Sequence, residues 1–215
     1  MARSVFNLFG LGKKSPNSGT KVSGTPSLVM SYADKPDLEA FKSHYDMLCV
    51  KVAGYKRVTR EKPHLVEATK DALNKVIKTD ALAFIFEDLQ RLSMLYDNFR
   101  KMEELLNRPT QDNLNSFNKL VSKLKKETET RYELAQMISN MNRYNSDNSQ
   151  WIVKDNIQEA LYAVNKTTLM NDNRAYDIEN YSLHILERYS RVVGYANKFF
   201  QDICKRGNET KPIDK

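Results

Sequence analysis

From Leu38 to Ile203, apolar residues return at alternating steps of three and four, the spacing that gathers side chains on one face of an α-helix. Between Gly54 and Gly194 there is no glycine, and only Pro63 and Pro109 punctuate the interval. Glycine and proline oppose helix most strongly, so their scarcity together with a period near 3.6 predicts long amphipathic helices packed on one another.

The first helix is expected to open at Pro36, to turn Leu38, Phe41, Tyr45, Leu48 and Val52 inward, and to stop at Gly54. Pro63 opens a second helix with Leu65, Val66, Leu73, Val76 and Ile77 inside; Thr79 with Asp80 offers a cap for a separate third, the alternative being one helix that runs through with a bend. That third helix has the most regular seam: Leu82, Ile85, Leu89, Leu92, Tyr96, Phe99, Met102 and Leu106. At 1.5 Å per residue the seam runs about 37 Å. Phe84, Phe86 and Leu95 widen it, so the helix is expected to lie centrally.

Asn107 to Thr110 makes the next turn. The following helix carries Leu114, Phe117, Val121, Leu124, Ala135, Ile138 and Met141, with a highly charged and exposed middle. A loop at residues 145–149 precedes a shorter helix marked by Trp151, Ile157, Leu161 and Val164. The last helix follows Asn171-Asp172-Asn173, shows Ile178, Tyr181, Ile185, Tyr189, Val192, Ala196, Phe199 and Ile203, and is expected to stop before Gly207. The predicted fold is an all-α bundle of five or six mostly long antiparallel helices with a flexible N-terminal tail.

Composition divides the chain further. Residues 1–14 form a short amphipathic segment and 15–35 have the Pro, Gly and Ser content of a flexible linker. Residues 36–207 are expected to form one bundle domain, and 208–215 a frayed C-terminal tail. A domain of that size buries roughly 70% of its unfolded surface and needs no disulfide or metal to hold it. Cys49 and Cys204 sit in apolar helical patterns and read as buried free thiols. No apolar run has the length of a membrane span, and no secretory signal is apparent, so a cytoplasmic protein is expected, with membrane association through a complex as a further option.

The net charge is +7. The first 35 residues hold Arg3, Lys13, Lys14, Lys21 and Lys35 against Asp34, so over half of the excess belongs to the tail. A nearly balanced body disfavours a charge-driven nucleic-acid binder.

Catalytic patterns are lacking. His44, His64 and His184 form no HExxH or Glu-x-x-His motif, His184 reading as a half-buried helix residue and His64 as solvated. Neither a phosphate loop nor a GxSxG elbow occurs. The acid pairs Glu87-Asp88 and Glu103-Glu104 are read as surface partners of Arg91 and Arg100. No catalytic residue, cofactor or metal is therefore assigned. Gly194, inside the last helix, is read as a close-packing position.

Two binding elements remain. Lys51, Lys56, Arg57, Arg60 and Lys62 interleave with Tyr55 in a predicted basic loop over residues 51–62. Such a loop serves as a solvated turn, an electrostatic contact for an acidic protein, or a phosphate grip with a stacking ring. The N-terminal segment places Val5, Phe6, Leu8, Phe9 and Leu11 opposite a polar stripe of Arg3, Asn7, Gly10 and Lys14. Segments of this kind dock in a partner's groove, lie on an anionic membrane, fold back on their own bundle, or serve in targeting.

The function that follows is a non-catalytic adaptor or accessory subunit binding other proteins, for instance in a bacterial secretion or envelope-associated assembly. In it, Val5, Phe6, Leu8, Phe9 and Leu11 are the protein-binding anchors, and Lys56, Arg57, Arg60 and Lys62 the electrostatic contact. The alternatives are a peripheral membrane protein anchored by the N-terminal segment and a nucleic-acid binder using residues 51–62.

Overall fold

The computed structural model describes residues 38–77, 80–143, 149–164 and 173–213. Among them the secondary structure is wholly α-helical, in six helices: α1 Leu38–Thr59, α2 Pro63–Ile77, α3 Ala81–Asn107, α4 Gln111–Arg143, α5 Ser149–Val164 and α6 Asn173–Glu209.

The longest helix, α6, is the hub, packing most extensively on α1 and α4 and also on α3. α1 runs antiparallel to it, with His44 stacked on Tyr195 at 4.8 Å and Gly54 against Tyr181. α4 is antiparallel too, pairing Ser139 with Ser190 at one end and Phe117 with Gly207 at the other. α3 lies parallel to α6, with Phe84 edge-on to Tyr189 and Phe99 beside Phe199. α5 packs chiefly on α2. The core is continuous from Leu38 to Ile203, with Phe41, Phe99, Phe117, Tyr189 and Phe199 as its largest fully buried side chains.

The break between α2 and α3 falls at Asp80, whose carboxylate accepts from the Ala83 N–H at 3.1 Å and so caps α3. Lys70 fixes the same carboxylate from α2 at 3.1 Å. In the α3–α4 turn the Thr110 hydroxyl accepts from the Asn113 N–H. The seam of α3 is buried at Leu82, Ile85, Leu92, Phe99 and Met102, and its widening residues contact neighbours on several sides: Phe86 meets Tyr55 of α1, and Phe84 meets Tyr189 of α6.

Both glycines expected to end a helix instead lie inside one. α1 continues past Gly54 to Thr59, and α6 past Gly207 to Glu209. In each case a neighbouring aromatic ring occupies the space of the missing side chain. A Cβ on Gly54 would lie 2.6 Å from Tyr181 Cε1, and one on Gly207 would lie 2.2 Å from Phe117 Cε1. The glycines are sites of close approach, and helix propensity yields to packing. Beyond α6, where a frayed end is expected, the Ile213 N–H donates to the Pro109 carbonyl at 2.8 Å and ties the chain to the α3–α4 turn. Gly194 is buried within an unbroken α6. The predicted start at Pro36, Thr79 and the loop at residues 145–148 lie outside the described residues.

Candidate functional site

A groove of about 810 Å³ lies between α4 and the C-terminal third of α6. On α4, Val121, Thr128, Tyr132 and Gln136 recur at helical spacing and form one wall; Phe200 and Cys204 of α6 form the other. The lining is predominantly apolar, and the charged rim is mixed, with Lys125, Glu129 and Glu133 on α4 and Lys205 on α6. α4 contributes a wall here because its charged middle still keeps a narrow inward stripe. Leu124, Thr128 and Arg131 are buried, while Ser122, Lys123, Lys125, Lys126, Glu127, Glu129 and Thr130 are exposed. Thr128 is buried, and its hydroxyl closes its own hydrogen bond to the Leu124 carbonyl at 2.9 Å.

Gln136 is the unusual member. It is 8% exposed, and its amide nitrogen has no hydrogen-bond partner in the protein. Burial raises the Tyr132 hydroxyl above its ordinary value, and the Gln136 side chain acts in the opposite direction. A buried donor left in that state is costly. Cys204 is half-buried and free, and burial raises its thiol above the usual range.

A second concavity of about 430 Å³ lies between α5 and α6, beside exposed Tyr162 and Tyr176. Its floor includes Glu179, which is buried, accepts from the Gln158 amide at 3.1 and 3.2 Å, and lies 3.7 Å from Lys154 Nζ. Burial raises the Glu179 carboxyl, against the pull of these two partners.

The structure redistributes the basic residues predicted to form a loop. Lys51, Lys56 and Arg57 stand on α1, and Arg60 and Lys62 in the short α1–α2 connection. Lys51 covers the Tyr181 ring at 5.6 Å and Lys56 the Phe86 ring at 5.4 Å, so both have aromatic partners within the bundle. Lys56, Arg57 and Arg60 are exposed, while Lys62 is half-buried. Tyr55, the aromatic in that run, is 3% exposed, packs on Phe86, and has its hydroxyl pushed up to about 12 by burial. It is a core residue and offers no ring for base stacking.

The acid pairs also part company. Glu103 reaches Arg206 of α6 at 3.5 Å, and Arg100 pairs with Glu104 at 3.5 Å. Asp88, expected on the surface, is instead 1% exposed at the centre of the bundle. Its two oxygens accept from Arg131 Nε at 2.9 and 3.1 Å, and one also accepts from the Tyr189 hydroxyl at 3.0 Å. Burial pushes the Asp88 carboxyl up, while the Arg131 bond and charge and the Tyr189 bond pull it down. These groups saturate one another, which makes them a structural network linking α3, α4 and α6. The sequence signal was present: Asp88 falls between Ile85 and Leu92 at steps of three and four, directly on the apolar seam.

His184 is exposed rather than half-buried and lies 3.9 Å from Glu187, while His64 is exposed. Cys49 and Cys204 are both half-buried. Among the described residues no group of three His, Cys, Asp or Glu side chains is placed to hold a metal, and no helix is long and apolar enough to cross a membrane. Val5, Phe6, Leu8, Phe9 and Leu11 lie outside the described residues. No family model, curated protein or solved structure matches the chain.

Proposed function

We propose that this protein is a non-catalytic adaptor or accessory subunit that binds other proteins in a larger assembly, and that the α4–α6 groove receives an apolar helix of its partner. The groove carries this reading. Its α6 wall from Asn197 to Asn208 spans about 17 Å, three helical turns. That length suits a helix presenting anchors at i, i+3 or i+4 and i+7. The apolar lining supplies the affinity. The mixed rim of Lys125, Glu129, Glu133 and Lys205 favours a partner with charges of both signs at its edges.

The test is affinity purification from the native source with the full chain, followed by binding measurements on the recovered partner. Val121→Glu places a charge on the groove wall, and Gln201→Trp adds bulk at an exposed lining position. Each is expected to weaken the partner by tenfold or more, about 1.4 kcal/mol, with the circular dichroism of the bundle unchanged. A partner that binds both variants as tightly as the parent would show that the interface lies elsewhere.

A further inference from the structure

We propose that the concavity between α5 and α6 binds an organic ammonium ion, with the Tyr162 and Tyr176 rings as its aromatic contacts and Glu159 and Glu179 as its counter-charge. No residue lines both this site and the α4–α6 groove, so failure of either leaves the other standing.

The two rings stand where a cation can reach them. Tyr162 in the last turn of α5 and Tyr176 in the first turn of α6 both line the concavity, and they are 55% and 64% exposed. Tyr55, Tyr189 and Tyr195 are buried in the bundle, whereas these two remain outside the core. The face of an aromatic ring carries negative charge density and attracts a cation within about 6 Å.

The charge of the lining has one sign. Among the described residues it carries two carboxylates, Glu159 and Glu179, and no basic group. Glu159 is exposed and open to direct contact, while Glu179 is buried and makes the floor negative. Three groups of α5 act on Glu179. Gln158 Nε2 donates to both oxygens, Lys154 Nζ lies 3.7 Å from one of them, and Asp155 brings a further negative charge. Burial outweighs the pull of Gln158 and Lys154 and holds the carboxyl above its ordinary value. A carboxylate in that state is short of positive charge, and a cation in the concavity supplies it.

The same lining selects an organic ion over a metal. Calcium or magnesium requires about six oxygen ligands, whereas two carboxylates stand here beside apolar Leu161 and Ala175. An alkylammonium ion accepts apolar walls around its carbon atoms, and a methylated one gives up little hydration on entry. A space of about 430 Å³ holds such a headgroup together with the start of its chain. The ligand class is therefore a methylated alkylammonium, whether a free amine or the side chain of a methylated lysine.

The experiment is an NMR titration of the full chain carrying isotope-labelled tyrosine. The probes are choline and the neutral alcohol in which carbon replaces the choline nitrogen. Tyr162→Leu and Tyr176→Leu assign the two ring signals; both positions are exposed, and circular dichroism checks each fold. Choline is expected to move both signals with a Kd of about 1 mM, and the neutral alcohol to bind at least about tenfold more weakly. Each tyrosine variant should weaken choline about fivefold. Glu179→Gln, which keeps an acceptor for Gln158 and drops the charge, should weaken it about tenfold, and Glu159→Gln tests the exposed carboxylate in the same way. Unmoved tyrosine signals at about ten times the expected Kd overturn the proposal. Equal binding of the neutral alcohol also overturns it, since the space would then be an apolar pocket only, as does choline binding that neither glutamate variant weakens. A short peptide carrying trimethyllysine separates the sources: binding about tenfold tighter than choline marks a protein ligand, and binding no tighter marks a free amine.

Discussion

At the scale of single residues, Asp88 carries the greatest energetic leverage. Its carboxylate and the Arg131 guanidinium are taken out of water together, and each is tolerated only because the other is present. We predict that Asp88→Asn, which leaves Arg131 buried without a counter-charge, costs about 3–5 kcal/mol in urea unfolding. Asp88→Leu/Arg131→Met, which removes both charges, should cost far less than the two single changes summed. Additive losses would mean that the groups act independently. His44 provides a second test. Burial, with Arg188 and Arg191 nearby, holds its imidazole below the ordinary 6.5, and Arg188 Nη1 donates to its Nδ1 at 2.9 Å. A depressed histidine binds its proton more weakly in the folded state than in the unfolded one. Stability is therefore full above pH 6.5 and falls as the pH drops through that value. His44→Phe keeps a ring against Tyr195 and should flatten this slope; an unaltered slope assigns the effect to other groups.

At the scale of elements, the helices are set by periodicity and their ends by contacts that no local rule contains. The steps of three and four in α3 and α6 announce which faces turn inward, and Asp80 announces its cap. Gly54 and Gly207 look like stops, because a glycine after the last apolar residue of a run is the usual signature of a helix end. They are instead the places where α1 admits Tyr181 and α6 admits Phe117. For an exposed helix interior, Gly→Ala gains about 1 kcal/mol. At Gly207 the fully buried Phe117 ring must yield, so we predict that Gly207→Ala destabilises by about 1–3 kcal/mol. Adding Phe117→Leu should recover part of that loss. A stabilised Gly207→Ala single variant would show that the ring moves at little cost. Asp88 and Arg131 illustrate the same limit: each sits on the inward stripe of its helix, yet only the crossing of α3 and α4 pairs them.

At the scale of the whole molecule, α6 organises the bundle by accepting α1 and α4 on different sides and α3 along a third. The groove lies between α4 and α6. The binding reading draws on both sources of information. The apolar N-terminal segment is visible in sequence as a stretch with nothing of its own to bury it, whereas the groove residues were not foreseen as a site. Val121 and Phe200 belong to ordinary apolar stripes, and Gln136 is an unremarkable polar residue until its amide is found buried without a partner. Tyr55 shows the reverse, an aromatic whose sequence neighbours suggest nucleic acid and whose burial assigns it to the core.

By itself the sequence determined the class of fold, the order of five or six helices and most of their inward faces, because those follow from local spacing and propensity along one chain. The tertiary structure alone decided which faces meet, where glycine ends a helix or lets a ring approach, which charges share the interior, and where two helices leave a groove. These depend on contacts between residues tens of positions apart, and one-dimensional periodicity carries no record of partner or distance.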